Sequence, residues 1–270
     1  MNILEQIVAN KRREIAAAQA EVSIADLERR PLFSKPVNSL KSVLKTAQMP
    51  AVISEFKRQS PSKGIINGTV RPEIVTKGYA DAGAAALSVL TDKNYFGGSF
   101  DDFIAARMEN PGIPMLRKDF VVDAYQLYEA RAIGADLVLL IAACLTPAEV
   151  RDLSRKAHDL GMEVLLEVHD EAELEQSLCD SIDMVGVNNR NLKNFVTSVD
   201  VSLELAGRIP DSFVKISESG LKDAATIWTL FEAGYRGFLI GETFMKTGDP
   251  AAALRGLQQE IVNSRAPKHA

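Results

Sequence analysis

The segment LVLLIAACLTPAEVRDLSRKAHDLGMEVLLEV (137–168) joins two short apolar runs through one amphipathic stretch. The two runs, Leu137–Ile141 and Glu163–Val168, are rich in Leu, Val and Ile, as are strands that are buried on both faces. Between them, Pro147–Leu160 has apolar residues at helical spacing, and Gly161 follows as a typical helix-terminating residue. The segment therefore predicts a strand–helix–strand unit with parallel strands.

The same alternation recurs along the chain after Pro50. The eight predicted strands are Ala51–Phe56, Ala86–Leu90, Pro114–Leu116, Leu137–Ile141, Glu163–Val168, Asp183–Val187, Phe213–Ile216 and Gly237–Ile240. The predicted helices that follow them are Arg71–Ala82, Phe103–Arg107, Ala124–Ile133, Pro147–Leu160, Ala172–Leu178, Val201–Arg208, Ala224–Ala233 and Ala251–Val262. Eight such units in about 215 residues are what a (β/α)8 TIM barrel requires. A doubly wound open sheet is the rival fold, but the turn EFKRQSPSKG (55–64) lacks the G-x-G-x-x-G pattern typical of its first turn.

An additional helical segment precedes the first predicted strand. Residues from about 3 to 30 carry an apolar stripe at helical spacing, and a second short helix is predicted over Ser39–Thr46. We therefore expect residues 1–270 to form a single (β/α)8 barrel domain, of which about residues 1–48 are an N-terminal helical extension.

The composition is that of an ordinary globular protein: of 270 residues, 46% are hydrophobic and 25% charged, and the formal net charge is −5. A mildly acidic chain lacks the field that attracts nucleic acid or an anionic membrane, so we expect neither as a partner. No apolar run reaches the ~18 residues of a membrane helix, and the charged N-terminus is unlike a signal peptide. Because Cys144 and Cys179 lack the spacing of a redox or zinc motif, we expect a reduced, cytoplasmic protein.

In a (β/α)8 barrel the active site lies at the carboxyl ends of the strands. Glu55 and Lys57 end the first predicted strand, and alternation directs both toward the barrel axis if Ile53 also points inward. The other polar or glycine residues at this rim are Lys118, Glu167, Asn188, Arg190, Ser217, Glu218, Ser219, Gly220, Gly241, Glu242 and Thr243. Each could singly be a solvated residue, but together they predict an active site. Glu163 starts its strand and is expected at the opposite rim.

Glycines near the last two strands indicate the class of substrate. Ser219-Gly220 and Gly241-Glu242 are expected to open short helical segments whose backbone N–H groups bind phosphate, although tight turns are an alternative. Lys57 can supply further positive charge, as can Arg190. The pattern predicts a phosphorylated small molecule as the substrate.

Metal-dependent and nucleophilic mechanisms have little support in the sequence. His158, His169 and His269 form no ligand set with the carboxylates of the rim, so no metal site is predicted. No G-x-S-x-G elbow ends a strand, and Cys144 is expected at most to line a pocket. Acid–base chemistry by lysine and glutamate is therefore the predicted mechanism.

Seven motifs at the ends of different predicted strands resemble, in order and spacing, those of the indole-3-glycerol-phosphate synthase family. They are SEFKRQSPSKG (54–64), SVLTDKNYFGGS (88–99), PMLRKDF (114–120), LLEVHD (165–170), VNNRNL (187–192), SESG (217–220) and LIGETFM (239–245). The resemblance covers essentially the whole chain, including the N-terminal helices. It implies conversion of 1-(2-carboxyphenylamino)-1-deoxyribulose 5-phosphate into indole-3-glycerol phosphate, carbon dioxide and water, a step of tryptophan biosynthesis that uses no metal or organic cofactor.

The resemblance also implies roles for individual residues. Lys118 is the implied general acid that protonates the ribulosyl carbonyl during ring closure. Glu167 is implied to stabilise the positive charge on the anilino nitrogen and ring, or to remove a proton. Lys57 and Glu55 are the implied acid–base pair of the final dehydration, and the division of labour between the two lysines stays open.

Further residues match the family's binding positions. Asn188 and Ser219 resemble its positioning residues within the catalytic set, with Glu218 as a neighbour; Arg190, Gly220, Gly241 and Glu242 match positions around the ligand and its phosphate; and Phe96, Phe120, Leu139 and Ile240 fall where the family has an apolar slot for the anthranilate ring. For the last four, packing in the core or in loops is the alternative. We expect a monomer or weak homodimer and leave contacts with other tryptophan-pathway enzymes open.

Some residues depart from the family pattern, and two other functions compete. Phe56, Leu221 and Phe244 differ from the commoner residues and affect the shape of the pocket, while Lys215 in the middle of a predicted strand has no account beyond facing a helix edge. One rival is a phosphoribosylanthranilate isomerase-like barrel, which would require a Cys/Asp pair at the ends of strands one and six. The other rival is a non-catalytic sensor of phosphorylated ligands.

Overall fold

A closed barrel of eight parallel strands forms the centre of the computed structural model, which describes residues 3–191 and 195–265. The barrel strands are β1 (Ala51–Phe56), β4 (Ala86–Leu90), β5 (Met115–Lys118), β6 (Leu137–Ile141), β7 (Glu163–Val168), β8 (Met184–Asn188), β9 (Val214–Glu218) and β10 (Tyr235–Ile240). Between β1 and β4, a short antiparallel hairpin pairs β2 (Gln59–Ser60) with β3 (Gly64–Ile65). Each barrel strand pairs with its sequence neighbours, and β1 closes the barrel by pairing with β10. This arrangement confirms the predicted (β/α)8 barrel.

Helices surround the barrel and precede it. They are α1 (Ile3–Glu21), α2 (Ile24–Glu28), α3 (Leu40–Thr46), α4 (Pro72–Asp81), α5 (Phe100–Glu109), α6 (Tyr125–Ala132), α7 (Pro147–Asp159), α8 (Glu171–Ser177), α9 (Asp200–Ala206), α10 (Ala224–Glu232), α11 (Glu242–Met245) and α12 (Pro250–Arg265), with a 3-10 turn at Ala142–Cys144. The helix predicted over residues 3 to 30 is two helices, because Ser23 caps α2 in a reciprocal capping box with Asp26. The hairpin β2–β3 and the 3-10 turn were not predicted.

Alternation along the strands separates the barrel interior from the layer between strands and helices. The interior is filled by residues that include Ile53, Ala86, Leu116, Leu137, Leu139, Leu165, Met184, Val214, Ile216 and Leu239. Because Ile53 belongs to this interior cluster, Glu55 two residues later also points toward the barrel axis, as predicted.

Helix α3 closes the amino-terminal end of the barrel. Its Leu40 and Leu44 are fully buried in the interior cluster. The carboxylate of Glu163 at the start of β7 accepts hydrogen bonds from the Ser39 hydroxyl and, at 3.0 Å, from the backbone N–H of Lys41. Leu40 and Leu44 thus form a plug at this end of the barrel, and Glu163 stabilises it. As expected, Glu163 lies at the rim opposite the predicted site.

Helix α1 is anchored near the carboxyl ends of the strands. The ammonium of Lys11 is buried between Asp92 and Asp119, at 3.0 Å from an oxygen of each. These aspartates lie just beyond the ends of β4 and β5, so that one lysine ties the helix to two neighbouring strands. The hydroxyl of Tyr125 also donates to the carbonyl of Ala18, at 3.2 Å.

The buried Lys215 of β9 satisfies its charge at the end of a helix. Its ammonium donates to the carbonyl of Ala206, the last residue of α9, at 2.7 Å, and to Asp211 at 3.3 Å. A cation at a helix C-terminus interacts favourably with the unpaired carbonyls there. The side chain thus faces a helix end, which accounts for a charge that the sequence alone left unexplained.

Candidate active site

A cavity of about 680 Å³ opens at the carboxyl ends of the strands. The residues that line it include every residue with a catalytic or binding role implied by the family resemblance: Glu55, Lys57, Phe96, Lys118, Phe120, Glu167, Asn188, Arg190, Glu218, Ser219, Gly220, Ile240, Gly241 and Glu242. Ser217 of the predicted rim does not line it, because its buried hydroxyl forms hydrogen bonds with Asn189 and Ser202 instead. The cavity also contacts Leu139 and the start of α1. The predicted residues are therefore brought together in one site.

Lys118 lies at the centre of the polar part of the cavity. Its ammonium donates to Oε2 of Glu167 at 2.9 Å and to Oε2 of Glu218 at 3.1 Å. Burial by itself lowers the pKa of Lys118, but the facing carboxylates outweigh burial and raise this pKa above its ordinary value. Lys118 is therefore a protonated acid at neutral pH.

The two carboxylates that bind Lys118 differ in their surroundings. Burial raises the pKa of both, but at Glu167 the charge of Lys118, the facing His169 and a hydrogen bond from the Asn188 amide at 3.1 Å outweigh burial, so its pKa is lowered below the ordinary value. Burial keeps the pKa of Glu218 raised despite Lys118, and the neighbouring charge of Glu167 adds to this effect. A proton shared by the pair therefore resides on Glu218, and Glu167 remains a carboxylate.

Glycine provides the space that Glu218 occupies. A side chain on Gly186 of β8 would overlap Oε1 of Glu218. Gly186 was not predicted as a site residue, and the only signal in the sequence is a glycine within an otherwise apolar strand.

Lys57 and Glu55 form a second ion pair at the end of β1. The ammonium of Lys57 lies 2.6 Å from Oε1 of Glu55, and both side chains are largely buried. Gly241 lies against this carboxylate, because a Cβ placed on it would be 2.5 Å from Glu55 Oε1. The pair is thus adjacent to the loop that follows β10.

The two glycine turns differ in conformation. Gly241 precedes the short helix α11, as predicted. The prediction that Ser219-Gly220 opens a helical segment is wrong, because both residues have left-handed φ angles of 70° and 75°, and the next helix starts only at Ala224. The buried amide of Asn189 holds this turn by donating to the Ser219 carbonyl at 3.0 Å. Asn189 was not predicted, and the polar NNRN run was its only signal.

Arg190 extends across the mouth of the cavity toward the loops after β1 and β10. It contacts a carboxylate oxygen of Glu242 at 3.2 Å and donates to the Ser62 hydroxyl at 3.1 Å. Lys63 lies 3.7 Å from the other oxygen of Glu242. Glu242 therefore balances two cations, and Lys63 is an additional cation at the site that was not predicted.

An apolar wall lines the same cavity as the lysine–glutamate cluster. The rings of Phe96 and Phe120 pack with centroids 5.9 Å apart, next to Leu139. Ile240 lines the cavity, but its side chain belongs to the layer between strands and helices, while Leu239 packs in the interior. Three residues of α1 complete the wall and were not predicted: Ile3, Leu4 and Ile7.

Other kinds of site are not supported in the described parts of the chain. Residues 3–191 and 195–265 contain no group of three or more His, Cys, Asp or Glu arranged to hold a metal ion. Burial raises the pKa of the Cys144 thiol, which disfavours the reactive thiolate. In the same ranges, no helix is long and apolar enough to cross a membrane. His269, and Leu192 of the VNNRNL motif, lie outside the described residues.

Fold and site together define a (β/α)8-barrel enzyme with a buried lysine–glutamate centre beside an apolar wall. Residues 4–257 match the family model described as "Indole-3-glycerol phosphate synthase". Curated relatives of that name include one from Bacteroides thetaiotaomicron, 46% identical over 260 residues that span 96% of this chain and 99% of the relative. Another, from Azoarcus sp., is 46% identical over 95% of this chain and 98% of its own. The chain belongs to the indole-3-glycerol phosphate synthase family.

Solved structures of other proteins share the fold alone. KGPDC from Streptococcus mutans superposes with a TM-score of 0.60 at 13% identity, over 80% of this chain and 99% of its own. The 3-hexulose-6-phosphate synthase from Salmonella typhimurium superposes with a TM-score of 0.62 at 12% identity, over 79% of this chain and 99% of its own.

Proposed function

We propose that the lysines and glutamates of this cavity carry out the reaction of the family. The activity is that of a carboxy-lyase of tryptophan biosynthesis: ring closure, decarboxylation and dehydration of 1-(2-carboxyphenylamino)-1-deoxyribulose 5-phosphate give indole-3-glycerol phosphate, carbon dioxide and water. The observation that carries the residue assignment is the buried ammonium of Lys118, 2.9 Å from Glu167 and close to the apolar wall. A planar aromatic ring on that wall would present its reacting carbon to a carbonyl held by Lys118.

Ring closure requires an acid at the ribulosyl carbonyl. As the ring carbon bonds to the carbonyl carbon, the carbonyl oxygen gains negative charge, and Lys118 donates a proton to it. The anilino nitrogen and ring become positive in the same step. Glu167, whose pKa is lowered, is ionised and stabilises that charge. Loss of carbon dioxide from the same ring carbon then returns its bonding electrons to the ring.

Dehydration completes the reaction. The hydroxyl formed from the carbonyl leaves as water after it accepts a proton, and a carbon-bound proton is removed so that the indole becomes aromatic. Lys57 and Glu55, 2.6 Å apart, supply an acid and a base within one ion pair. Lys118 could serve as the acid of this step instead, so the division of labour between the lysines is tested below.

The phosphate is assigned to the mouth of the cavity opposite the apolar wall. The backbone at Gly220 and Gly241 and the cations of Lys57 and Arg190 support an anion there. Lys63 adds charge to the same region. Asn188 and Ser219 position the substrate between this mouth and the wall.

Fluorescence of the indole product provides the test. We expect Lys118→Ala and Glu167→Gln each to lower kcat by about 10²–10⁴-fold with a modest change in KM, because each removes an interaction made in the transition state. Lys41→Ala is the control, since Lys41 pairs with Asp183 at the opposite end of the barrel. Near-normal kcat in either active-site variant would refute its assignment.

Single-turnover measurements separate the two lysines. If Lys57 is the acid of dehydration, Lys57→Met should release carbon dioxide at close to the normal rate but accumulate the hydroxylated intermediate that has not yet lost water. If Lys118 serves both steps, Lys57→Met should weaken binding of the phosphorylated substrate and leave the chemical steps intact. Binding of substrate by the unaltered protein without any turnover would favour the sensor over the enzyme.

The location of the protein, its oligomeric state and its domain organisation are part of the same proposal. We place the chain in the cytoplasm, as a monomer or weak homodimer acting on a phosphorylated small molecule, with residues 1–270 forming one barrel domain. Sedimentation at several protein concentrations tests the oligomeric state.

A further inference from the structure

His169 lies behind the catalytic carboxylate of Glu167, and the mechanism above does not use it. The imidazole is largely buried, with 11% of the side chain exposed, and it does not line the cavity. It follows β7 directly, two residues after Glu167 in the sequence. The group is therefore placed to act on the site only through Glu167.

The imidazole is held between two carboxylates. Nδ1 lies 3.0 Å from Oε2 of Glu173 on α8, and the backbone N–H of His169 donates to the same oxygen at 2.8 Å. On the other side of the ring, Nε2 lies 3.5 Å from Oε1 of Glu167. Nε2 is fully buried and has no hydrogen-bond partner.

This arrangement selects one protonation state. An ionised carboxylate can only accept hydrogen bonds, and a neutral imidazole carries only one N–H. A neutral ring would therefore direct a nitrogen lone pair at either Glu173 or Glu167. The imidazolium presents an N–H to both carboxylates, so the geometry favours the charged form.

The charges of the site favour the same state. Three buried carboxylates, those of Glu55, Glu167 and Glu218, face two ammonium groups in the cavity. With the shared proton on Glu218, Glu55 and Glu167 balance the two ammonium groups, and the imidazolium compensates the carboxylate of Glu173 beside it. The Cys144 thiol of the 3-10 turn, on which the charges of Glu167 and Glu173 also act, is kept neutral by burial.

We infer that His169 is a positioning residue that, as an imidazolium anchored by Glu173, keeps Glu167 ionised and oriented for ring closure. This inference rests on the proposed function of Glu167. Burial by itself lowers the pKa of His169, but Glu173, Glu167 and Glu218 outweigh burial and raise this pKa above the ordinary value of a histidine. The imidazolium therefore persists to higher pH than that of an ordinary histidine, and it is lost as the pH rises through the raised pKa.

The pH dependence of kcat tests this role in variants that keep the packing. His169→Gln retains an amide near the position of Nε2 but has no charge. Because an opposite charge at this distance shifts a carboxyl pKa by about 1 unit or more, the acid limb of kcat should move about 1 pH unit higher. Below that limb, kcat should be about 10-fold lower than in the unaltered enzyme, with KM within about 3-fold.

A second variant separates charge from packing. Glu173→Gln leaves the imidazole in place but removes the charge that stabilises Nδ1–H. Its acid limb should coincide with that of the unaltered enzyme, because the imidazolium is still present in acid, while the titration midpoint of His169 should move to lower pH. His158→Asn is the matched control, because His158 contacts Asp183 at the opposite end of the barrel, at 2.8 Å, and its loss should leave both limbs unchanged.

Nitrogen NMR of histidine-labelled protein provides a readout that is independent of turnover. The chain has three histidines, and the His158→Asn and His169→Gln spectra assign their signals. Two protonated ring nitrogens on His169 at pH 7.5, with a lower midpoint in Glu173→Gln, would support the inference. A neutral His169 at pH 7, or a kcat profile of His169→Gln that superposes on the unaltered profile, would overturn it. Absence of turnover by the unaltered enzyme would refute the proposed function instead, and the NMR midpoint would still decide the charge of His169.

Discussion

Lys11→Met is the substitution whose effect is best defined by the contacts that it removes. The Lys11 ammonium is buried and lies 3.0 Å from both Asp92 and Asp119. After its loss, Asp119 keeps an ion pair with Arg117 at 3.0 Å. Asp92, which is fully buried, keeps only the backbone N–H of Tyr95. The substitution therefore leaves one buried carboxylate almost without compensation.

Breaking a buried ion pair by removing one partner costs about 3–5 kcal/mol, so we expect the free energy of unfolding to fall by that amount. Burial alone lowers the pKa of Lys11, but Asp119 and Asp92 reverse this and raise it. The stabilisation is therefore fully present at neutral pH and is lost only as the pH rises above the ordinary lysine value of about 10.4.

Urea unfolding followed by circular dichroism measures this change. Arg12→Met is the matched control on the same helix, because Arg12 is exposed and its oxygen partner on Glu149 is 3.8 Å away; its loss should cost below about 1 kcal/mol. KM should rise in Lys11→Met, since helix α1 supplies Ile3 and Leu4 to the cavity wall.

A double variant identifies the buried charge as the cause. Lys11→Met with Asp92→Asn should recover part of the lost stability, because a neutral amide is less costly to bury than a carboxylate. Equal stabilities of Lys11→Met and Arg12→Met would refute the reasoning. So would a double variant that is less stable than Lys11→Met alone.

Three other substitutions address the site and its support. Glu218→Gln should flatten the pH dependence of the melting temperature. The raised pKa of Glu218 stabilises the fold at low pH, and this stabilisation is lost as the pH rises from the ordinary glutamate value through the raised one. A variant that melts with the original pH dependence would contradict the assignment. Gly241→Ala should lower the free energy of unfolding in urea by about 1–3 kcal/mol and lower kcat, because its Cβ would lie 2.5 Å from Glu55 Oε1. Unchanged stability and kcat would show that the loop adjusts without cost. Lys215→Met should cost about 1–3 kcal/mol by removing the donor to the Ala206 carbonyl, and an unchanged unfolding midpoint would rule out that helix-end role.

The fold could be predicted from the sequence because its main signals are local. A strand buried on both faces, such as Leu137–Ile141, and a helix ended by a glycine, such as Pro147–Asp159, are recognisable without knowing their neighbours. The division of the N-terminal helix at Ser23 depended on one capping box within a continuous helical pattern. The β2–β3 hairpin has only two residues in each strand, which is too short for periodicity to identify.

The site was predictable where a residue's type and its place at a strand end were sufficient, as for Lys118 and Glu167. Residues whose importance depends on a neighbouring strand were missed. Gly186 matters only because the side chain of Glu218, on the next strand, occupies the space where a Cβ of residue 186 would lie. Ile3 was missed as a site residue because nothing in its own helix indicates that it lies at the carboxyl ends of the barrel strands. The left-handed turn at Ser219 was likewise not encoded by residue type, since serine rarely adopts that conformation.

The plug formed by Leu40 and Leu44 determines how material passes through the enzyme. The barrel interior is packed with apolar side chains from this plug up to the floor of the cavity. In the part of the chain that the structure describes, substrate and products therefore pass through the opening at the carboxyl ends of the strands. The bulky product has to leave through that opening before the next substrate can bind. A contact that narrows the opening therefore slows both substrate binding and product release.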